Sequence, residues 1–518
     1  MSSLWAKLFR WFKTILCDRW TLALGGVLAL ASFLRLFRLG RQALFLDEAW
    51  SWMVSRMTVS QILQLPLADP HPPFYYLILK FILLKVPSTE TGLRLFSVFC
   101  SLIALVLLMM VAARLWGKPA AFFTGWALAL SSFDIYYAQE ARMYALLGLL
   151  WLASMALLLE ALSGHPRLFL PWGLVNAAMM WTHFYSLLVV GVHLAFAFGI
   201  WVWKRRRGLP NPAWARWFIV GSMLTLLSAL PVLIWLWKYR LASAGGAWLP
   251  KMSDLSAFLT LLSLGLSPVR DQLLDSSHLT LPWTAAFPAW LWQLGGVLFG
   301  GGFALWGLWQ GWRAGGNHRR AAALSSASMF IPVGVIFVYA LASGRAVWAY
   351  KPFLGTAYLF YLWWGVGSSR FPSPIGQGML VVSLLLIAAL SLIPYYTGWQ
   401  KSEVSTNMRN SSQGEGVVLL ERAYFAPLVF YYLGNRQPVW GLNPDSGGEF
   451  PLVQVPQDYL WKGYQPLNCA DSFLQKTSDL WVYGSTERVL QAQELWPSCL
   501  QRKRLWFVQD GKWTHSGP

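Results

Sequence analysis

The chain has 518 residues, of which 56% are hydrophobic and 12% are charged. Soluble globular chains average about 45–50% hydrophobic and about 25% charged residues, so this composition excludes disordered, fibrous and disulfide-scaffold proteins. The formal net charge of +19 is divided among short basic clusters between apolar runs, whereas a nucleic-acid-binding protein needs one contiguous basic face. The sequence therefore predicts an all-α polytopic membrane protein that binds membrane lipids and no nucleic acid.

Eleven apolar segments approach the roughly 20 residues that a transmembrane helix needs. The basic clusters Lys204–Arg207 and His318–Arg320 lie between such segments, and the positive-inside rule places them in the cytoplasm. With the basic residues 1–19 also cytoplasmic, eleven crossings leave the C-terminus on the exported side of the plasma (inner) membrane. The predicted spans are 20–38, 92–113, 119–136, 143–162, 168–182, 184–203, 215–237, 286–310, 323–343, 353–368 and 376–397.

The segment Phe74–Val86 is predicted to be a re-entrant or interfacial helix. It is short for a span and carries Lys80 and Lys85, and counting it as a crossing would put the later basic loops on the wrong side. The residues on the exported side are then a first loop at 39–73, a long loop at 239–285 and the tail at 399–518. Within the first loop, the amphipathic stretch Glu48–Leu65 is predicted to lie along the membrane surface.

The tail is richer in acids, amides and serine than the preceding residues 20–398, which form the predicted catalytic membrane domain. A small exported α/β domain is predicted, with strands at Gly416–Leu420, Asp479–Tyr483 and Leu505–Val508 and a helix at Glu487–Trp496. Cys469 and Cys499 lie in this tail, where an exported location permits a disulfide, and the sequence leaves that bridge open.

Carboxylates are rare before residue 400, and two of them, Asp47 and Glu48, directly follow the first span. One interpretation is helix capping, with Asp47 as the N-cap and Glu48 in the first turn. The other is a general base that takes a proton from an acceptor hydroxyl. Neighbouring positions point to different faces of a helix, so we expect one base with one supporting residue.

His71 precedes two prolines that suit the first turn of the short helix at 74–86. A lone histidine is usually structural. Asp69, Tyr75 and Tyr76 lie nearby in the sequence. With these neighbours, contact of His71 with a phosphate or a metal is as well supported as a structural role.

The segment with Tyr137, Glu140, Arg142 and Tyr144 ends the third span and begins the fourth. In a helix, Glu140 and Tyr144 would share a face with Tyr137. Arg142 could hold an anionic leaving group with two hydrogen bonds. The alternative is an interfacial aromatic belt with one arginine at the lipid headgroups.

Two further exported turns carry His183 with Tyr185, and Arg345 with Tyr350 and Lys351. Each turn alone is weak evidence. Together with the preceding segments they gather acids, histidines and cations on one side of the membrane, as a phosphate-bearing lipid substrate requires.

The order of these motifs resembles the family 39-type membrane glycosyltransferases of the GT-C superfamily, which include protein O-mannosyltransferases and the bacterial aminoarabinose transferase. The resemblance covers roughly residues 20–400, and a Tyr-Lys-Pro turn before a late span completes it. It implies transfer of a sugar from a polyprenyl-phosphate donor to a lipid, glycan or protein acceptor. The motifs are Asp47-Glu48, His71-Pro72-Pro73-Phe74-Tyr75-Tyr76 and Glu140-Ala141-Arg142-Met143-Tyr144.

The resemblance also implies roles for individual residues. Asp47 is the expected base, with Glu48 and Glu140 as further catalytic candidates. Trp50 and Ser51 depart from the arginine and tyrosine that some relatives have after Asp-Glu. A divalent cation, magnesium or manganese, on Glu140 or His71 is compatible with the motif, but no ligand spacing requires one. The expected donor-phosphate ligands are His71, Arg142, Tyr144, Arg345 and Lys351, with Asp69, Tyr75, Tyr76, Tyr137 and His183 in support.

One base opposite a leaving phosphate predicts inversion at the anomeric carbon, because no second carboxylate is placed as a nucleophile. The alternative function is a transporter or flippase of lipid-linked saccharides. Such a protein would carry charged residues within its spans, often with broken helices or internal repeats. Here the acids gather at one face, which favours a hexosyl- or pentosyltransferase.

Overall fold

The computed structural model describes most of the helical part of the chain and the strands of the tail. The described residues form two compact units. The first, called the helical unit, comprises Met1–Leu39, Leu65–Ile78 and Arg94–Trp399, and the second, the mixed unit, comprises Gly40–Gln64, Leu79–Leu93 and Gln400–Pro518. The described ranges are 19–64, 71–208, 212–239, 249–264, 294–397, 403–410, 417–420, 426–433, 439–442, 452–454, 465–466, 479–483, 504–509 and 512–516.

Helices account for most of these residues. A π-helical turn at Gly296–Gly301 leads directly into the α-helix at Gly302–Ala314. In chain order the α-helices are α1 (Arg19–Leu36), α2 (Leu46–Ser55), α3 (Val59–Gln64), α4 (Phe74–Ile82), α5 (Glu90–Trp116), α6 (Lys118–Ala129), α7 (Ser132–Ala138), α8 (Tyr144–Leu162), α9 (Phe169–Met180), α10 (Ser186–Arg206), α11 (Pro212–Tyr239), α12 (Met252–Leu264), α13 (Gly302–Ala314), α14 (Gly316–Ser343), α15 (Leu354–Ser369), α16 (Pro374–Thr397), α17 (Glu403–Asn410) and α18 (Ala426–Tyr432).

All but one of the predicted spans coincide with a helix where they are described, although the first part of 286–310 lies outside the described residues. Within the described residues, six helices are long and apolar enough to cross a membrane: α5, α8, α10, α11, α14 and α16. The chain is therefore a multi-pass membrane protein. The number of crossings and the orientation remain predictions.

The short helix after His71 is shorter than predicted. α4 has nine residues and ends at Ile82 instead of Val86. Its length is about 14 Å at 1.5 Å per residue, whereas the hydrocarbon core of a bilayer is about 30 Å thick. The amphipathic stretch at 48–65 also forms short helices, α2 and α3, and part of the long loop at 239–285 is the helix α12.

The predicted continuous span 119–136 is wrong, because the helix breaks between α6 and α7. The side chain of Ser131 caps α7 by accepting from the backbone N–H of Asp134 over 3.1 Å. Arg35 occupies the end of α6, where its guanidinium donates to the carbonyls of Leu128 (2.9 Å) and Ala129 (3.2 Å). These carbonyls need a partner outside the helix, and a cation there is favoured by the helix dipole.

The same guanidinium forms a fully buried ion pair with Asp134. Arg35 Nη2 lies 2.6 Å from Asp134 Oδ2, and both side chains are completely inaccessible. Ser101 donates to Asp134 Oδ2 over 2.5 Å, and Tyr358 donates to Asp134 Oδ1 over 2.7 Å. A buried charge pair is tolerated only when such additional hydrogen bonds satisfy it. The pair joins α1, α5, α7 and α15.

Glycines allow other helices of the helical unit to approach closely. A Cβ at Gly307 of α13 would overlap the carbonyl oxygen of Trp363 in α15, and a Cβ at Gly367 would overlap the carbonyl of Phe303. Such contacts between small residues are typical of membrane helix packing, where dispersion forces replace the hydrophobic effect.

A polar network also connects spans in the interior of the helical unit. Ser154 donates to Asn176 Oδ1 over 2.6 Å and contacts His193 Nδ1 at 2.8 Å, while His193 Nε2 lies 3.0 Å from Ser328 Oγ. Asn176 reaches Thr225 over 3.4 Å. These uncharged polar side chains form hydrogen bonds with one another across the helices, as polar side chains do at helix contacts in lipid.

The tail contributes a mixed sheet to the mixed unit, in the order β4-β3-β2-β1-β5-β6-β7. β1 pairs in parallel with β2 and β5, and β5 with β6, while the outer strands pair antiparallel. All three predicted strands are present as β1, β5 and β6. The predicted helix Glu487–Trp496 and both tail cysteines lie outside the described residues. The strands are β1 (Val417–Leu420), β2 (Val439–Leu442), β3 (Leu452–Gln454), β4 (Gln465–Pro466), β5 (Asp479–Tyr483), β6 (Arg504–Gln509) and β7 (Lys512–Ser516).

The buried ion pair generates a stability prediction. Asp134→Asn leaves Arg35 buried without its charge partner, and we expect a loss of about 3–5 kcal/mol, measured as thermal unfolding in detergent. Replacing both partners by apolar residues, Arg35→Met with Asp134→Leu, is expected to recover most of that loss. The control is Glu160→Gln, which breaks the exposed Arg114–Glu160 pair and should cost at most about 1 kcal/mol. Equal effects of Asp134→Asn and Glu160→Gln would contradict this account.

Candidate functional site

The Asp47-Glu48 pair lies in the first turn of α2, in the mixed unit. The predicted capping role of Asp47 is wrong, because Phe45 takes the N-cap position and Glu48 supplies the cap bond, accepting from the Phe45 N–H over 2.9 Å. Glu48 is completely buried, whereas Asp47 is half-buried. The two acids therefore have different environments, as expected for adjacent positions on a helix.

In the helical unit, Arg142 brings two of the predicted motifs together. Its Nη2 lies 3.2 Å from His71 Nε2, and its Nη1 donates to Tyr76 Oη over 3.2 Å. A guanidinium only donates hydrogen bonds, so Nε2 of His71 accepts and carries no proton in this arrangement. The arginine is 2% exposed.

A backbone hydrogen bond joins the segments that carry His71 and His183. The N–H of Phe74, the first residue of α4, donates to the carbonyl of Trp181 over 3.0 Å. This bond holds the start of α4 against the turn between α9 and α10. The rings of His71 and His183 lie 6.3 Å apart between centroids.

The environment of His183 keeps its imidazole neutral. Burial lowers the pKa of His183 well below its usual 6.5, and the nearby His71, Lys351 and Arg142 lower it further. Its Nδ1 accepts from the backbone N–H of Tyr185 over 3.1 Å. In the neutral ring the proton is therefore on Nε2, which makes His183 a hydrogen-bond donor at that atom.

Aromatic rings pack between the segments that carry His183, Lys351 and Arg142. The ring of Tyr144 packs 5.4 Å from that of Tyr137 and 6.1 Å from that of His183. Lys351 extends its ammonium over the Tyr144 ring, 5.4 Å from the centroid. A cation in this position is attracted to the ring face.

The predicted helical spacing of Glu140 and Tyr144 is wrong, because α7 ends at Ala138 and α8 begins at Tyr144. Gln139 accounts for the break. Its amide nitrogen donates to the carbonyls of Arg35 (2.9 Å) and Phe37 (3.0 Å), and its oxygen accepts from Tyr395 Oη (2.8 Å). Glu140 and Arg142 thus lie in an irregular turn, where Glu140 is 3% exposed.

The turn that carries Lys351 is fixed from two sides. Tyr185 Oη donates to the carbonyl of Val347, and Tyr350 Oη contacts Asp254 Oδ1 at 3.4 Å. Tyr350 also stacks on Phe258 with 5.3 Å between centroids. These contacts hold the start of α15, where Lys351 lies half-buried.

The structure thus brings together most, but not all, of the predicted site residues. Arg345 is exposed on its turn, where its N–H donates to Ser343 Oγ. Asp69 lies outside the described residues, and Asp47 and Glu48 belong to the mixed unit. The residues that meet through the contacts above form what we call the cation cluster: His71, Tyr76, Arg142, Tyr144, His183 and Lys351.

The described residues of the cluster do not fit a divalent cation. Nε2 of His71 accepts from Arg142, so a guanidinium occupies the place that a metal would need. No three His, Cys, Asp or Glu side chains within the described ranges lie together as a ligand set. We therefore derive no step through a metal.

Several residues that shape the site were not among the sequence candidates. Arg35 and Asp134 support the turn at 139–143, and a signal for them was present, because both charges fall within predicted spans. Nothing in the sequence singled out Gln139 or Tyr395 as a site residue, since neither residue type is unusual at the end of a span.

No family model and no curated protein matches this chain. Among solved structures, ArnT from Cupriavidus metallidurans in the apo state is 14% identical, with a TM-score of 0.48 over 82% of this chain and 93% of that chain. The same protein bound to undecaprenyl phosphate is 13% identical, with a TM-score of 0.48 over 83% and 94%. The oligosaccharyltransferase of Archaeoglobus fulgidus with zinc and sulfate is 12% identical, with a TM-score of 0.46 over 82% and 63%. ArnT is an aminoarabinose transferase, and both proteins are of the GT-C superfamily.

The neutral state of His183 predicts a pH dependence of stability. Below pH 6.5 the unfolded chain binds a proton at this residue that the folded protein does not bind, so stability falls with decreasing pH. At pH 5.5 this costs up to about 1.4 kcal/mol. We expect His183→Asn, which keeps an acceptor near the Nδ1 position, to reduce the fall in unfolding temperature between pH 7.5 and 5.5.

The matched control is His165→Asn, because His165 is exposed beside Glu160. This variant should retain the full dependence of the wild type. An identical pH dependence in wild type and His183→Asn would show that His183 takes up its proton normally.

Proposed function

We propose that the chain is a membrane glycosyltransferase. It moves a hexose or pentose from a polyprenyl-phosphate donor to a hydroxyl group of a lipid, glycan or protein acceptor, at the exported face of the plasma (inner) membrane. The observation that carries the proposal is the meeting of His71, Arg142 and Lys351, from three separate turns, around the rings of Tyr144 and His183.

The composition of the cation cluster favours a phosphate ligand. Arg142 and Lys351 bring two cationic side chains to one place, and such groups bind phosphate oxygens through charge-assisted hydrogen bonds. Arg142 donates to His71 and Tyr76, and a phosphate oxygen is a stronger acceptor for a guanidinium than an imidazole nitrogen or a phenol oxygen. An incoming phosphate can therefore replace these bonds at a gain.

Neutral His183 suits the same ligand. Its Nε2–H can donate to a phosphate oxygen without adding a further positive charge beside Arg142 and Lys351. Tyr137 and Tyr75 support the cluster through ring contacts with Tyr144 and Tyr76.

The proposed reaction is a single displacement at the anomeric carbon. Asp47 accepts the proton of the acceptor hydroxyl as its oxygen forms the new bond. The bond from the anomeric carbon to the phosphate oxygen breaks, and polyprenyl phosphate leaves with the electron pair and an additional negative charge. Arg142, Lys351 and the two histidines stabilise that charge, and the configuration inverts.

Asp47 suits the role of base better than Glu48. Glu48 is fully buried and accepts the cap bond of α2, so protonating it would cost that bond. Asp47 is half-buried and accessible to an acceptor. Glu140, buried in the turn next to Arg142, remains the alternative carboxylate.

The proposal includes the predicted topology. It comprises eleven crossings, a cytoplasmic N-terminus, an exported α/β tail and domain boundaries at 19/20 and 398/399. The basic clusters between spans and the order of the motifs support this arrangement.

The test uses purified protein in nanodiscs with a panel of polyprenyl-phosphate sugars and hydroxyl acceptors. We expect the wild type to release free polyprenyl phosphate with at least one donor, and Asp47→Asn to lower the rate by at least about 100-fold. A chelator should leave the rate unchanged. The control is Glu160→Gln, a carboxylate-to-amide change at the exposed ion pair with Arg114.

The outcomes separate the alternatives. An unchanged rate in Asp47→Asn would remove Asp47 from the mechanism and point to Glu48 or Glu140. No release with any donor, together with movement of lipid-linked sugar between the leaflets, would support a transporter or flippase.

A further inference from the structure

A helix of the tail packs against α2, the helix that carries Asp47. α18 (Ala426–Tyr432) ends in two adjacent tyrosines, of which Tyr431 contacts α2 and Tyr432 contacts the short segment before it. The hydroxyl of Tyr432 accepts from the backbone N–H of Leu44 over 2.7 Å. Leu44 is fully buried and lies three residues before Asp47. The tail therefore holds the chain at the point where it enters α2.

Tyr432 also fixes a second segment of the mixed unit. Its hydroxyl donates to Glu90 Oε1 over 3.2 Å, at the beginning of α5. Burial raises the pKa of Tyr432 above its usual 10, and the neighbouring carboxylates of Glu90 and Glu48 contribute to this rise. The phenol therefore keeps its proton, which it needs in order to donate to Glu90 while it accepts from Leu44.

Tyr431 contacts the other end of α2. Its ring meets that of Trp52 edge to face, with 5.1 Å between centroids, and its hydroxyl donates to the carbonyl of Ser88 over 3.1 Å. Arg56 lies over the ring of Trp52 at 5.2 Å. Edge-to-face pairs of this kind contribute about 0.5–1.5 kcal/mol beyond the area they bury.

α2 is too short to define its own position. It has ten residues, and isolated helices of fewer than about 12–15 residues are marginal in water. Tertiary contacts must therefore set where its first turn lies. The Tyr432 bond to Leu44 is a contact from the tail that lies three residues before Asp47.

We infer that the tail positions the Asp47 helix for catalysis, with Tyr432 as the positioning residue. The inference rests on the proposed function, in which Asp47 is the base. It assigns the tail a part in the chemical step, because a base must lie within hydrogen-bond reach of the proton that it accepts. Tyr432 itself does not touch the substrate in this scheme and acts through the backbone before α2.

The test removes single hydroxyl groups. Tyr432→Phe keeps the ring and its packing but loses the bonds to Leu44 and Glu90, and we expect kcat to fall about tenfold while KM for the lipid donor stays within twofold. Tyr431→Phe is the matched control, because it loses one bond at a more exposed position and keeps the ring contact with Trp52. We expect it to change kcat by less than twofold.

A double-mutant cycle separates positioning from general stability. If Tyr432 acts through Asp47, adding Tyr432→Phe to Asp47→Asn should leave the residual rate unchanged. A further tenfold fall in the Asp47→Asn background would overturn the inference, because the hydroxyl would then act independently of the base. An unchanged kcat in Tyr432→Phe alone would overturn it as well.

Hydrogen exchange provides a measurement that does not depend on activity. In Tyr432→Phe, the amides of residues 46–55 should exchange faster than in the wild type, while those of α8 and α15 remain unchanged. Unchanged protection of 46–55 would overturn the inference even in an active enzyme. A wild type that is inactive with every donor would contradict the proposed function instead, and the exchange result would still decide whether Tyr432 holds α2.

Discussion

The buried ion pair between Arg35 and Asp134 is the contact on which the arrangement of the helical unit depends. A single guanidinium binds the last carbonyls of α6, pairs with Asp134 in the first turn of α7 and, with Ser101 and Tyr358, connects five helices, α1, α5, α6, α7 and α15. A buried charge without its partner would be strongly destabilising. The pair therefore fixes where α7 begins, and the bonds of Gln139 to the carbonyls of Arg35 and Phe37 end α7 before the turn that carries Glu140 and Arg142.

Beyond that turn, the site depends on the few charged side chains that the fold brings close together. Tyr76 holds Arg142 and the ring of Tyr144 holds Lys351, while burial, aided by these cations, lowers the pKa of His183. A cluster of this kind can donate many hydrogen bonds to one ligand. In the proposed function that ligand is a phosphate, which the cluster stabilises most strongly as the phosphate gains charge in the transition state.

Hydropathy and motif order predicted the helical segments, three tail strands and most of the cation cluster, because apolar length and residue type are local properties. The errors arose where a distant partner decides the local structure. The break after Ala129 depends on Arg35, almost a hundred residues earlier, and the turn at 139–143 depends on carbonyls of α1 that bind Gln139. Likewise, a sequence pattern cannot tell that Phe45 takes the N-cap of α2 and that Glu48 caps it.

The central claim is that the cation cluster binds the phosphate of a polyprenyl lipid. The most direct measurement is a cryo-EM structure of the protein in nanodiscs with polyprenyl monophosphate. The account predicts phosphate oxygens about 3 Å from the guanidinium of Arg142 and from Lys351 Nζ, with the bond between Arg142 and His71 replaced. A phosphate bound elsewhere, with Arg142 still bonded to His71 and Tyr76, would contradict it.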